Sequence, residues 1–391
     1  MEITYRASDD VHAVIGSMGR TEDIRFSPSN RRLAIAAFSR SRIAVLGIDI
    51  GNAKQVVLTG AVQISSGSLD HPHGLDFIDD DTLAVANRNG DVAVFKVPPS
   101  GISPENLSPI RILRADDTSL LRSPGSLSIV RKDEALHELL ICNNGGNSVT
   151  RHQVDCSSGC SIGSGEILLK KWLNLPDGIC VSHDRQWIAV SNHNTHDVLL
   201  YRNSPTLNEH AEPDGALRCA YYPHGLRFSA DGRHIFVADA GAPYVHVYAS
   251  DGRDWRGARS PAMSFRVMDD RVFSLGRQNP QEGGPKGIDI DAGMNLLVAT
   301  SEHQPLAMFD LPAILERVPS DPFVQDVEYE LGILAHADRL RARLMQAEGR
   351  AAKAEAKAAK AKARLAKVKN GWPFRITTPL SRIYSAFRRA N

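Results

Sequence analysis

The stretch YPHGLRFSADGRHIFVAD, residues 222–239, holds a histidine and glycine, an alternating apolar run, an Asp-Gly turn, and a second alternating run that ends on an acid. Alternation of period two marks a half-buried strand, and Asp-Gly between two such runs signals a hairpin. The unit recurs. HPHGLDFIDDDTLAVANRNGDVAVFKV starts at His71, SPGSLSIVRKDEALHELLICNNGGNSVTRHQV at Ser123, LPDGICVSHDRQWIAVSNHNTHDVLLYRN at Leu175 and GPKGIDIDAGMNLLVATSEHQPLAMFDL at Gly284. A degenerate copy, TEDIRFSPSNRRLAIAAFSRSRIAVLGID, starts at Thr21. The apolar residues that open each unit, Ile24, Leu75, Leu127, Ile179, Leu226 and Ile288, are separated by 51, 52, 52, 47 and 62 positions.

Six units of that period, each with three short apolar runs divided by Asn- or Gly-containing turns, predict six small antiparallel sheets. A fourth run follows in several units, as in SPIRILRAD and EILLKKWLNL. A lone four-stranded sheet leaves an open face and bare edges, whereas six packed radially cover one another. The expected fold is therefore all-β, a six-bladed β-propeller over residues 1–330 with an α-helical C-terminal arm. The last unit lacks an outer strand after LAMFDL, and MEITYRA at the N-terminus is placed to supply it and close the ring.

Of 391 residues 42% are hydrophobic and 23% charged, enough for a large core and too apolar for a disordered chain. The net charge of +1 conceals an asymmetry: residues 335–391 carry fifteen Lys or Arg against three Asp or Glu, leaving 31 basic and 42 acidic residues in the body. An acidic body argues against nucleic acid as its ligand, while the basic tail suits an anionic surface. The opening sequence has no basic leader or apolar segment, and no run of eighteen apolar residues occurs, so a cytoplasmic protein is expected, with the tail offering peripheral attachment at the inner membrane. Cys142, Cys156, Cys160, Cys180 and Cys219 form no framework and fit a reducing compartment; CSSGC is expected to be loop rather than half a zinc site. No dinucleotide fingerprint, Walker loop, nucleophile elbow or H-E-x-x-H is present.

In a propeller the residues just before each inner strand emerge around one mouth of the channel. Here they are Glu22, His73, Gly125, Asp177, His224 and Lys286, and the ends of the second strands return to the same face with Ala37, Asn87, Asn143, Asn192, Asp239 and Thr300. A polar rim suited to a small ligand is expected there. His73 and His224 have two jobs open to them, proton transfer near neutral pH or capping a turn through backbone hydrogen bonds. The asparagines and Asp239 are equally suited to local turn chemistry. His193, His196 and His303 fall in loops without a common face and are not expected to bind metal.

The pattern P-x-G-L-x-F-S-x-D-G-x-x-I-x-V-A-D/N resembles the superfamily of NHL, YncE-like and SMP-30/gluconolactonase-like propellers over about 300 residues. Resemblance to the gluconolactonase group implies a divalent ion at the channel mouth. Glu22, Asp177, Asn143 and Asn192 are the matching ligands, a set rich in oxygen that suits Ca²⁺ or Mg²⁺. Lys286 would repel that ion unless it pairs with Glu22.

Beyond Tyr329 the composition changes. From Ile333 to Val368 apolar residues follow a 4,3 alternation, the seam of a coiled coil over residues 331–370 that would serve self-association or a protein partner; the alanine-rich middle fits a solitary helix as well. Residues 371–391 form a basic amphipathic segment whose Trp372, Phe374, Leu380, Ile383, Tyr384, Phe387, Arg388 and Arg389 suit a partner, an anionic membrane surface or the acidic body. This end resembles the tails of bacterial surface-polysaccharide glycosyltransferases in Trp372, Arg375, Ile376, Thr377, Thr378, Pro379, Leu380 and Arg382. Together these features favour a non-catalytic binding or scaffold propeller, set in cell-envelope polysaccharide assembly, with a divalent-metal-dependent lactonase-like hydrolase as the alternative.

Overall fold

The computed structural model describes residues 2–51, 55–101, 106–114, 120–319, 349–350, 353–355 and 357–362. Six antiparallel-cored sheets form among them. Blade 1 runs outward through Ile24–Phe26, Arg32–Ala37, Arg42–Ile50 and Val56–Ser65. The inner strands of blades 2 to 6 are Pro72–Asp79, Pro124–Arg131, Pro176–Val181, Pro223–Phe228 and Ile288–Ile290.

Six apolar clusters occupy the six seams between neighbouring blades, which is how the ring is known to close. Leu75, Phe77 and Phe95 of blade 2 pack on Ile43 and Val45 of blade 1, and so on around to Leu296 and Val298 of blade 6, which pack on Ile24 and Ile35 of blade 1. Each fully buried Leu, Ile or Phe in such a seam contributes roughly 1.5–3 kcal/mol. Alternation explains the pattern: successive strand residues face opposite neighbours, so both faces of every blade must be apolar.

The N-terminus closes the ring at two places. Glu2–Ile3 pairs antiparallel with the outer edge of blade 6, Glu2 opposite Phe309 and Ile3 opposite Met308. Tyr5–Arg6 then pairs parallel with Val56 and Val57 of blade 1. A helix not foreseen from sequence, Asp9–Gly16, follows and drives Val11 and Ile15 into the seam between those two blades.

One expectation about the cysteines needs correction: Cys156 and Cys160 are joined in a disulfide across the turn after Ser148–Asp155. Four residues apart on a tight turn, their Cα atoms stand 4.3 Å apart, close enough to bridge. The chain divides into a unit of residues 1–342 and a second unit of residues 343–391, whose described residues are helical. Most of the seam from Ile333 to Val368, and all of Trp372, Phe374, Leu380, Ile383, Tyr384, Phe387, Arg388 and Arg389, lie outside the described residues.

Candidate metal centre at the channel mouth

The inner strands of blades 2 to 5 share one irregularity. Pro72 pairs with Asn87, but the next pair is Leu75 with Val85, and the same shift follows Pro124, Pro176 and Pro223. Two inner residues oppose one on the neighbouring strand, a β-bulge that bends the strand and re-aims its side chains. The first bulged residue is His73, Gly125, Asp177 or His224. The second is glycine in three blades, because adjacent inner strands nearly touch: a Cβ on Gly74 would lie 2.4 Å from Ser126 Cα, and one on Gly178 would lie 2.1 Å from the His224 carbonyl oxygen.

The bulges aim His73, Asp177 and His224 at a common point, which Glu22 reaches from the residues just before the unbulged inner strand of blade 1. His224 Nε2 lies 3.0 Å from Asp177 Oδ2 and 3.3 Å from Glu22 Oε2. His73 Nε2 stands 3.6 Å from Glu22 Oε2 and 3.7 Å from Asp177 Oδ1, and its ring stacks on His224 at 5.4 Å. All four side chains are at most 5% exposed. His193 completes the group, with Nε2 3.6 Å from Asp177 Oδ2 and its ring stacked on Tyr222.

Each carboxylate has one oxygen held and one offered. Glu22 Oε1 accepts from Lys286 Nζ at 3.0 Å and from Arg20 Nε, while Oε2 makes no hydrogen bond. Asp177 Oδ1 accepts from Arg88 Nη2 and Asn144 Nδ2, both at 3.0 Å, while Oδ2 makes none. His193 Nε2 is likewise without a hydrogen bond. Glu22 Oε2 and Asp177 Oδ2 both face His224 Nε2, so a cation in place of the His224 proton would meet oxygens already gathered there. Glu22, His73 and His224 form one set, and Asp177, His193 and His224 a second, in which the donor atoms lie within 4.8 Å of one another. Both are geometrically suited to a divalent cation.

Burial pushes both carboxyls upward, yet Lys286, His224, His73 and Arg20 outweigh it for Glu22, and His224, His73, His193 and Arg88 outweigh it for Asp177; both stay well below their usual range. Burial, aided by Arg88, drives His73 down to about 3, and burial takes His193 to about 4. His224 moves the other way, because Asp177 and Glu22 more than offset its burial. Lys286, whose repulsion of an ion was the concern, is paired with Glu22 and Glu282.

The other ring expected from sequence does different work. Asn87 Oδ1 accepts from Asp70 N, Asn143 Oδ1 from Arg122 N, and Asn192 Oδ1 from Asn174 N. Asp239 accepts from Tyr221 N, Tyr222 N and Gly241 N, and Thr300 bonds to Thr21 Oγ1 and the Pro305 carbonyl. These residues clasp the connection that leads into the inner strand. Asn143 and Asn192 therefore stand outside both clusters, and the donor set carries three imidazoles in place of the neutral oxygens expected. The residue one step further along each chain faces the centre instead: Arg88, Asn144 and His193 follow Asn87, Asn143 and Asn192. Gly125 makes room for one of them, since a Cβ there would lie 3.2 Å from Arg88 Nη1.

The expectation of a non-catalytic scaffold is overturned by these two buried clusters. Three histidines and two carboxylates, buried together with one oxygen of each carboxylate turned toward His224, form two clusters that could hold a metal ion, which a purely structural channel has no need to desolvate.

No family model and no curated protein matches the sequence. Among solved structures the chain is similar to the PQQ domain of pyranose dehydrogenase from Coprinopsis cinerea in its holo form, at TM-score 0.52 and 14% identity over 75% of this chain and 93% of that one. It is also similar to a functionally unknown protein of Desulfotomaculum acetoxidans DSM 771, at 0.49 and 13% over 75% and 83%. A third is a candidate 6-phosphogluconolactonase of Bacteroides fragilis NCTC 9343, at 0.48 and 12% over 74% and 79%. At 14% identity the likeness to the PQQ domain shows a shared fold and nothing of function, and it lends no support to the glycosyltransferase-like tail.

Proposed function

We propose that the protein is a divalent-metal-dependent hydrolase of lactones or related esters, with its centre at this mouth of the channel. The observation that carries the proposal is the gathering of Glu22 Oε2, Asp177 Oδ2 and His193 Nε2 around His224 Nε2 in a buried site. Glu22, His73 and His224 are assigned to hold the ion. Imidazole-rich donors suit zinc, iron or nickel better than calcium or magnesium. When bound, such an ion supplies Lewis acidity toward an ester carbonyl.

Asp177 and His193 are assigned to proton transfer. His193, neutral because it is buried, accepts a proton from the attacking water at Nε2, and Asp177 Oδ2 stabilises the imidazolium before the proton passes to the leaving alkoxide. Lys286 and Arg88 keep each carboxylate turned so that its second oxygen faces the centre. Arg20 and Arg88, with side chains 25% and 22% exposed, line the approach and favour a substrate rich in oxygens.

The test is metal analysis of the protein after chelation and reconstitution, joined to hydrolysis of a lactone panel. Near-stoichiometric metal with metal-stimulated turnover is expected. His73→Ala should lose the metal, whereas His193→Ala should keep it and lose about 10²–10⁴ in kcat. No metal bound, together with no hydrolysis, overturns the proposal.

A further inference from the structure

The outer half of blade 5 holds a hydrogen-bonded chain that the metal centre does not use. The blade runs outward through Pro223–Phe228, His234–Asp239, Tyr244–Ala249 and Met263–Arg266. His246 lies opposite Ser264 in the register of the two outer strands. Its Nδ1 stands 2.7 Å from Ser264 Oγ, and its Nε2 stands 3.0 Å from Asp239 Oδ2.

A carboxylate only accepts, so the proton of the neutral ring sits on Nε2 and the lone pair of Nδ1 is turned to the serine hydroxyl. That tautomer is the one a general base needs. Asp239 is 1% exposed, and the backbone amides of Tyr221, Tyr222 and Gly241 already fix its carboxylate. The connection it clasps is therefore held without the histidine. His246 is 7% exposed, whereas Ser264 is exposed. Burial falls on the acid and the base and access on the hydroxyl, the division that an attacking serine requires.

The strand register supplies a further part. Val267 N donates to the Pro243 carbonyl, which places Phe265 and Val245 in a hydrogen-bonded pair and Ser264 and His246 in the closer pair between such bonds. The N–H of Ser264 consequently points away from Tyr244–Ala249. Met263–Arg266 is the last strand of its sheet among the described residues, so this N–H faces the outer edge of the blade, where it can donate to the oxygen of an attacked acyl group. Arg266, two residues along on the same face, adds positive charge; its guanidinium lies over the Tyr244 ring and donates to Asp270 Oδ1 at 2.7 Å.

We propose that Ser264, His246 and Asp239 form a metal-independent acyl-transfer site that takes esters of small carboxylic acids. Ser264 Oγ bonds to the acyl carbon while its proton passes to His246 Nδ1; the ester C–O bond breaks, and the departing alcohol takes that proton. Water then repeats the sequence on the acyl-serine, releasing the acid and restoring the hydroxyl. Asp239 is a positioning residue. The site shares no residue with the Glu22–His73–His224 cluster and stands whether or not that cluster is catalytic.

The test is labelling of the full chain in EDTA with diisopropyl fluorophosphate, mapped by peptide mass spectrometry, beside release of p-nitrophenolate from p-nitrophenyl acetate. A label on Ser264 is expected, with ester turnover that chelation leaves unchanged and the label abolishes. Ser264→Ala should lose both. His246→Gln should slow labelling by about 10²-fold or more. Asp239→Asn should slow it as well and move the His246 ring-nitrogen chemical shifts toward the Nδ1-protonated form, which loss of a merely structural carboxylate would not do; near-ultraviolet circular dichroism checks that each variant folds. The proposal falls if Ser264 takes no label, if Ser264→Ala turns over the ester at the wild-type rate, or if His246→Gln is labelled as fast as the wild type.

Discussion

The Lys286 ammonium donates a 3.0 Å hydrogen bond to Glu22 Oε1 across 264 residues of sequence, and both side chains are 1% exposed. The bond joins the last blade to the first at the axis, just where the ring closes. Burial disfavours the charge on each, and each is stabilised by the other, with Glu282 supporting the lysine. Lys286→Met strands a buried carboxylate and should destabilise the fold by about 3–5 kcal/mol. The double variant with Glu22→Gln should recover much of that loss, because no uncompensated charge remains. Urea unfolding of the three proteins checks this, and equal losses in the single and double variants would contradict it.

Asn192 and His193 are neighbours in sequence with opposite orientations. Asn192→Ala removes the acceptor of Asn174 N and should cost about 1–3 kcal/mol of stability with unchanged metal content. His193→Ala should leave the unfolding midpoint nearly where it was and remove turnover. Parallel denaturation and activity assays separate the two roles; a catalytic defect in the asparagine variant with normal stability would reverse them.

His73 and His193 should each weaken the metal-free protein in acid over a defined window. His73 and His193 have folded pKa values near 3 and 4, below the ordinary 6.5, so the unfolded chain binds more protons between those limits. Their contribution to stability is complete above pH 6.5 and is lost as pH falls toward 4. Glu22 and Asp177, held low, act in the same direction at still lower pH. Asp23, Asp76 and Asp289, each raised to about 6 by burial, oppose the trend, since the native state holds their protons longer and loses stability as pH rises from 4 to 6, and His224, raised by Asp177 and Glu22, acts in their direction. Asp289→Asn should therefore shift the slope toward greater loss in acid and His73→Ala toward smaller loss, as read from urea midpoints between pH 4.5 and 7.

A methyl group placed at the axis should be intolerable. Gly178→Ala sets a Cβ 2.1 Å from the His224 carbonyl oxygen, backbone that cannot yield without moving blade 5. More than about 4 kcal/mol of destabilisation, or failure to fold, is expected. Gly67→Ala meets nothing within 4 Å and should change stability by less than about 0.5 kcal/mol.

Removing residues 1–6 should open the ring. The deletion takes away the outer strand of blade 6 and the parallel contact with Val56 and Val57. A loss of at least about 2 kcal/mol is expected from the missing strand bonds and the uncovered seam. Thermal unfolding reads the effect, and an unchanged midpoint would show that closure depends on the blade seams alone.

Blade number, strand order and the closing strand could all be read from the chain, because a unit repeated six times states its hydrophobic alternation six times. The ring of Glu22, His73, Asp177, His224 and Lys286 was legible for the same reason: each sits at one fixed place before an inner strand. His193, Arg88 and Asn144 were not, because they lie one residue beyond the conspicuous asparagines, and in extended chain one residue is the difference between facing the axis and facing away. Nor could sequence show that Lys286 meets Glu22 or that His224 stands between two carboxylates. Those facts depend on distances between blades, and such distances exist only after the seams have packed and the ring has closed.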